Sequence, residues 1–160
     1  ITKMNREEKK PINKTEEELF TQVIEIKRVS KKTEGGNQIS FTALVVTGDR
    51  NGHVGLALGK GPDVASAVAK GKRKAAKLMV EVGRRETTIP HDITKKVGSA
   101  KVFLKPAPAG SGLIAAQTLK PLLEAAGIKD ISVKILGANN KRNNLLALLE
   151  ALKELKAYVA

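Results

Sequence analysis

The chain has 160 residues, 41% of them apolar and 28% charged, a formal net charge of +13 and no cysteine. That length suits one domain or two small ones with a packed core, and the missing thiols exclude disulfides, thiolate nucleophiles and cysteine-based metal sites. The charge favours a polyanionic partner; it is spread, +7 over residues 1–90 and +6 over 91–160, as in a protein embedded in RNA and not one with a single basic tail.

Residues 1–17 are polar and charged without apolar period, and read as a flexible arm. Acidic residues Glu7, Glu8 and Glu16 to Glu18 set the segment apart from a signal or transit peptide. Val23 to Val29 alternates as a strand, with Ile24 and Ile26 expected on one face. Lys31 to Gln38, around Gly35-Gly36, reads as a long basic hairpin tip, and Gln38 to Thr47 as the returning strand. Gly48 to Gly52 is a turn by composition, followed by a third strand from His53 to Leu58. Pro62 and Asp63 suit a first helical turn. Val64, Val68, Gly71, Ala75, Leu78 and Val82 then form a helical stripe that Gly83 ends. The first unit is thus three antiparallel strands and a helix, over residues 18–85.

Residues 86–98 read as a link, and 99–160 as a second unit of strand, helix, strand and helix. Its first strand is Ala100 to Lys105. Pro106 to Gly112 is a rigid turn, with Ser111 as a candidate helix cap. Leu113 to Ala126 is the expected helix, closed by Gly127, where Pro121 must either kink it or stand where its bond is dispensable. Ile131 to Leu136 is the next strand. After a turn from Gly137 to Asn140, Leu145, Leu148, Leu149, Leu152 and Leu155 mark the last helix. The expected fold class is α+β in two small domains.

Catalytic signatures are missing. The run from Gly52 to Gly61 is glycine-rich, but a phosphate-binding P-loop needs glycine where Val54 stands and Ser or Thr where Gly61 stands. Its small residues fit a strand that another element approaches closely. His53 and His91 are isolated imidazoles, and no carboxylate or histidine cluster has metal spacing. No apolar run approaches the roughly 20 residues of a membrane span. Aromatics are confined to Phe20, Phe41, Phe103 and Tyr158, too few for base stacking, so phosphate and sugar contact is the expected mode. Lys27, Arg28, Lys31 and Lys32 crowd the hairpin with only Glu34 against them. Lys70, Arg73, Lys74 and Lys77 share the outer face of the first helix, with no acid from Val64 to Val80; a solvated face and an RNA contact are both open there. Gly35-Gly36 is either a plain turn or a place for backbone amides to reach phosphate. Asn139, Asn140, Asn143 and Asn144 around Lys141-Arg142 either cap the last helix or hold a phosphate or 2′-hydroxyl.

Taken in order, Arg28-Val29-Ser30-Lys31, Gly35-Gly36, Phe41-Thr42-Ala43, Gly48-Asp49, Asn51-Gly52, Val54-Gly55 and Gly59-Lys60 resemble the N-terminal signature of the bacterial ribosomal protein S5 family. Pro106-Ala107, Gly110, Gly112, Leu123-Glu124, Ala126-Gly127, Gly137, Asn140 and Asn143 resemble its second block, so the resemblance runs from about Glu18 to Leu155. It implies an N-terminal domain like the double-stranded-RNA-binding fold without its first helix, and a C-terminal βαβα domain with a left-handed crossover. It also implies a cytoplasmic, non-enzymatic constituent of the small ribosomal subunit. The partners so implied are 16S-type ribosomal RNA and ribosomal proteins S4 and S8. The family lines the side where messenger RNA comes in and influences decoding accuracy. Spectinomycin resistance maps to the tip that is Val29 to Gln38 here. The chain departs from the family at Asn37, where Lys or Arg is common, and at Ala116-Gln117, in place of a glycine pair.

Joined to the charge pattern, the resemblance makes a set of residues the expected RNA contacts. These are Lys27, Arg28, Ser30, Lys31, Lys32, Gly35, Gly36, Asn37 and Gln38 on the hairpin, then Arg50, Asn51, His53, Lys60, Lys70 and Lys74, and finally Asn140, Lys141 and Arg142. Gly110, Gly112 and Lys120 are the expected protein contacts. No cofactor, metal or small-molecule substrate is expected. Two other readings compete. A free-standing double-stranded-RNA-binding factor would need no match in the second half. An enzyme related to the small-molecule kinases that share the second domain's fold would need a phosphate loop and catalytic carboxylates.

Overall fold

The computed structural model describes residues 19–156, so the arm expected over 1–17 lies outside the described residues. Strands β1 (Phe20–Thr33), β2 (Gly36–Gly48) and β3 (His53–Gly61) form an antiparallel meander. Helix α1 (Val64–Lys77) follows, and a short β4 (Val80–Glu81) adds a fourth strand beside β3, in the order β1-β2-β3-β4.

Pairing runs to the end of the hairpin. Thr33 faces Gly36, which leaves Glu34 and Gly35 as a two-residue turn in place of the expected long tip. Lys31 to Thr33 carry no apolar alternation because no core lies beneath them. Backbone pairing alone makes them strand. At the base, a register shift between Val23 and Glu25 reverses the alternation. Ile24 therefore packs on the main core while Ile26, expected on the same face, is left 46% exposed.

The first sheet is covered on both faces. Ala43 and Val45 of β2 meet Ala67 of α1 on one side, and Leu44, Val46, Val54 and Leu56 point the other way. Glycines bring α1 close: a Cβ on Gly55 would lie 2.1 Å from the Ala75 carbonyl oxygen, and one on Gly59 would lie 2.0 Å from that of Ala67. The small residues of β3 thus have the close neighbour that their pattern asked for. The helix itself is shorter than the stripe suggested. It ends at Lys77, where the Leu78 amide donates to the carbonyls of Ala75 and Lys74. Val80 and Glu81 then pair with Val54 and His53. Leu78 is half exposed, and Val82 is buried directly after β4 instead of on the helix. Local periodicity could not see the sheet edge that claims Val80.

The second unit contains β5 (Ile93–Val97), β6 (Ala100–Pro106), β7 (Leu113–Ile114), α2 (Lys120–Ala126), β8 (Ile131–Ile135) and α3 (Lys141–Lys156). Its sheet order is β5-β6-β8-β7, antiparallel except for the parallel pair β7 and β8. The expected strand–helix–strand–helix is present as β6, α2, β8 and α3. Two strands were not foreseen. β5 occupies part of the segment 86–98 read as a link, and β7 replaces the start of the helix expected from Leu113. Because α2 begins only at Lys120, Pro121 falls in its first turn, where its missing N–H costs nothing. Ser111 is not a helix cap: it lies in the turn before β7, and the cap position of α2 is Leu119. Gly127 closes α2 in the left-handed conformation (φ 80°, ψ 20°).

The two units share one core. All five leucines of the α3 stripe are buried, and they join Leu104, Leu122, Leu123 and Val133 with Leu44, Val46, Val54 and Leu56 of the first sheet. Helix α2 packs on β2 and β3, and α3 packs on β5 and β6. The result is an α+β fold in which the second unit's helices fill the space under the first unit's sheet.

Candidate nucleic-acid interface

Beyond Phe41 the hairpin leaves the core and stands as an arm, exposed from Arg28 to Ile39 except at the half-buried Val29. At roughly 3.4 Å per residue, the six steps from Lys27 to Thr33 reach roughly 20 Å. Side chains alternate across a strand, and cross-strand partners share a face. Lys27 and Lys31 therefore lie on one face, with Gln38 opposite Lys31. Arg28, Ser30 and Lys32 lie on the other, with Asn37 opposite Lys32. The arm presents cations on both sides, a shape suited to insertion between phosphate backbones. Gly36 (φ 127°) supplies the backbone conformation that a side chain would resist, and space is open around both Gly35 and Gly36.

At the root of the arm, Lys27, Thr42 and Lys60 form one cross-strand row. Two of the expected contacts are already engaged there. Lys27 and Lys141 converge on Glu25, at 3.3 and 3.0 Å. The Lys141 ammonium, and then that of Lys27, holds the Glu25 carboxyl below its usual range. The cluster keeps one net positive charge, but neither ammonium is unpaired. Nearby, Lys74 of α1 and Arg142 of α3 line one shallow groove beside Leu58 and Leu78, so two cations far apart in sequence come together. Lys70 stays on the exposed face of α1. Asn140 caps α3: its carbonyl accepts from the Asn144 amide at 2.9 Å and its side chain from the Asn143 amide at 3.4 Å.

Arg50, Asn51 and His53 belong to a different place. They lie at the far end of β2, about 40 Å from the hairpin turn by strand rise. Asp49 organises their loop by accepting from the amides of Asn51 (2.8 Å) and His53 (3.1 Å) and pairing with His53 Nδ1 (2.9 Å). Burial resists ionisation of Asp49, but those amides and the imidazole outweigh it, and its carboxyl sits below the usual range.

The Gly110–Gly112 turn depends on a residue that sequence reading missed. Both glycines have positive φ, 89° and 74°, and face open space. Their amides donate to one oxygen of Asp130, at 3.1 and 2.9 Å, and Asp130 is 5% exposed. Its signal was slight: a lone acid between Ile128 and Ile131. The Gly112 amide first, then the Thr87 hydroxyl and the Gly110 amide, hold the Asp130 carboxyl below its ordinary 3.8. A lowered folded pKa means that this support is present above the unfolded value and lost as pH falls through the folded one. The amide resonances of Gly110 and Gly112 should therefore titrate together with a midpoint below 3.8, and Asp130→Asn should abolish that shared step. Separate midpoints would show that the turn is held by something else. Lys120, the third expected protein contact, is half-buried at the start of α2.

Among the described residues, no three His, Cys, Asp or Glu are grouped to hold a metal, and no helix is long and apolar enough to cross a membrane. His91 Nδ1 lies 2.8 Å from the carbonyl oxygen of Asp92.

Comparison with known proteins matches the same two units. A family profile described as ribosomal protein S5, N-terminal domain, covers residues 19–83, and one described as ribosomal protein S5, C-terminal domain, covers 95–159. The small ribosomal subunit protein uS5 of Syntrophobacter fumaroxidans is 44% identical over 139 residues, 87% of this chain and 84% of that protein. The uS5 of Chloroflexus aurantiacus is 42% identical over 144 residues (90% and 81%), and that of Persephonella marina 42% over 153 (95% and 79%). These relatives are ribosomal proteins and not enzymes, and the chain is read as non-enzymatic with them. With both profiles in order along the sequence and such identity over most of its length, the chain belongs to the ribosomal protein S5 family.

Proposed function

We propose that the chain is a structural constituent of the small ribosomal subunit in the cytoplasm, anchored in 16S-type ribosomal RNA by its hairpin arm. The observation that carries this reading is the arm itself. It is a paired, exposed finger with Lys31 and Lys32 on opposite faces and a single acid, Glu34, at its turn. It buries almost nothing, so its sequence is free to serve a partner. Contact is chiefly electrostatic, because the aromatics needed for base stacking are absent from it. The Gly110–Gly112 turn, rigid and open, suits a neighbouring protein such as S4 or S8. The arm's reach fits a place near messenger RNA where decoding accuracy is influenced.

Binding to a small-subunit RNA transcript tests the reading. If six to ten phosphates are neutralised, log affinity should fall against log salt with a slope of about −4 to −9. Lys31→Ala with Lys32→Ala should reduce that magnitude by about 1.5 to 2, nearly uniformly across RNA sequences, since phosphates carry no base identity. Melting temperature should not change. A double variant that binds like its parent, or that loses affinity only because it melts early, would make the arm a structural hairpin.

A further inference from the structure

The seam between the two units has its own cationic groove, remote from the arm. The loop from Asp49 to Gly52 docks on the end of α2: the Arg50 amide donates to the Ala125 carbonyl at 2.9 Å and the Gly52 amide to that of Ala126 at 3.0 Å. The last carbonyls of a helix form its negative end. Here they are occupied, so side-chain charge sets the field above them. Beside this junction runs a groove of about 560 Å³, lined by Arg50, Arg84, Glu124, Ile128 and Lys129 among others. It draws on the first unit, the segment after β4 and the turn between α2 and β8.

Arg84 is held in place by what its neighbours lack. A Cβ on Gly127 would meet its guanidinium at 3.1 Å, and one on Gly52 would stand 3.7 Å from its Nε. Both glycines have positive φ, 80° and 96°, so bare backbone lies where the guanidinium rests. Arg50 has its own support, with its guanidinium carbon 4.6 Å from the centre of the Phe20 ring. Among the described residues, no carboxylate lies within ion-pair distance of Arg50, Arg84 or Lys129, although Glu124 lines the same groove and Lys129 acts at longer range on its buried neighbour Asp130. Lys27, Lys95 and Lys141 by contrast all rest on carboxylates. Three cations against one acid leave the groove with a net charge of +2. Pre-positioned guanidinium groups suit bidentate contact with phosphate oxygens.

We propose that this groove is a second RNA-backbone site, in which a ribose–phosphate strand crosses the seam and its phosphates are taken by Arg84, Arg50 and Lys129. The proposal rests on the reading that the chain binds RNA. It adds that the two units act as one body, because a strand held here touches both. The arm and the seam, at opposite ends of β2, then grip RNA at two separate points.

The test titrates four proteins with a small-subunit RNA transcript over a range of salt: the parent, Arg84→Ala, Lys129→Glu, and the arm variant Lys31→Ala with Lys32→Ala. Lys129 is exposed, so Lys129→Glu leaves packing alone and reports on the groove even if Arg84→Ala melts early. Each seam variant should lose about tenfold in affinity, the scale of one charge-assisted contact. Each should also lower the salt slope by about 1. Seam variants that bind with parental affinity and slope while the arm variant weakens overturn the groove and leave the arm standing; an acidic protein segment would then be the better occupant. Weaker binding with an unchanged slope overturns it too, because the lost contact was not to phosphate. A flat salt response in the parent sinks the RNA reading as a whole and the groove with it.

Discussion

Gly59→Ala is expected to destabilise the protein by about 3 kcal/mol, the upper end for overpacking a well-packed site. The new methyl would stand 2.0 Å from the Ala67 carbonyl oxygen and 2.5 Å from the Gly71 amide nitrogen. Both obstacles are helix backbone, which cannot turn aside as a side chain can. To admit the methyl, α1 must lift from β3. That motion also parts Gly71 from Val45, whose Cγ2 a Cβ on Gly71 would meet at 2.7 Å. Since domains hold only about 5–15 kcal/mol in all, such a loss should be plain in a urea titration. Gly35→Ala is the control. Nothing lies within 4 Å of its Cβ position and its φ is not in the left-handed region, so a change within about 0.5 kcal/mol is expected. If both variants unfold with the parent, the close approach of α1 is wrong.

Gly127→Ala should cost as much by a different route, and should loosen the seam first. Its left-handed backbone is strained for any side chain, by about 1–2 kcal/mol. In addition, the methyl would come 2.0 Å from the Arg50 carbonyl oxygen. Relief requires the loop at Arg50 to withdraw, breaking its two hydrogen bonds to α2. The total, about 2–5 kcal/mol, should appear as faster hydrogen exchange at the amides of Arg50 and Gly52 than at core amides such as Val45. Because the units share one core, unfolding should remain a single transition. Unchanged exchange at Arg50 and Gly52 would mean that the loop and α2 do not depend on each other.

These two glycines show where sequence reading reaches and where it stops. The small residues of β3 announced a close neighbour, and the neighbour is α1, the next element in the chain. Gly127 announced a helix end, and it is one. Neither signal said that Arg50, far away in sequence, lies against Gly127, because that contact exists only once the second unit packs under the first sheet. The same limit explains β4, β5 and β7. Two strands of two residues and one of five carry too little pattern to be told from loop; a neighbouring edge with free backbone groups makes them strands.

Alternation, helical spacing and turn residues by themselves determined the core-facing parts of the main strands, the body of α1, α3 with its leucine core, and the α2 end at Gly127. They did so because each of these is set by residues within a few positions of one another. Charge likewise marked Lys31 and Lys32 as exposed cations, since nothing apolar surrounds them in sequence or in space. Only the tertiary structure decided which cations remain available. It draws Lys27 and Lys141 onto Glu25, sets Lys74 beside Arg142, and gathers Arg50, Arg84 and Lys129 at the seam. It also decided the shape of the Gly110–Gly112 turn, through Asp130. Ion pairs and hydrogen bonds between residues tens of positions apart leave no periodic trace along a chain; they form when packing brings the partners within about 3 Å of each other.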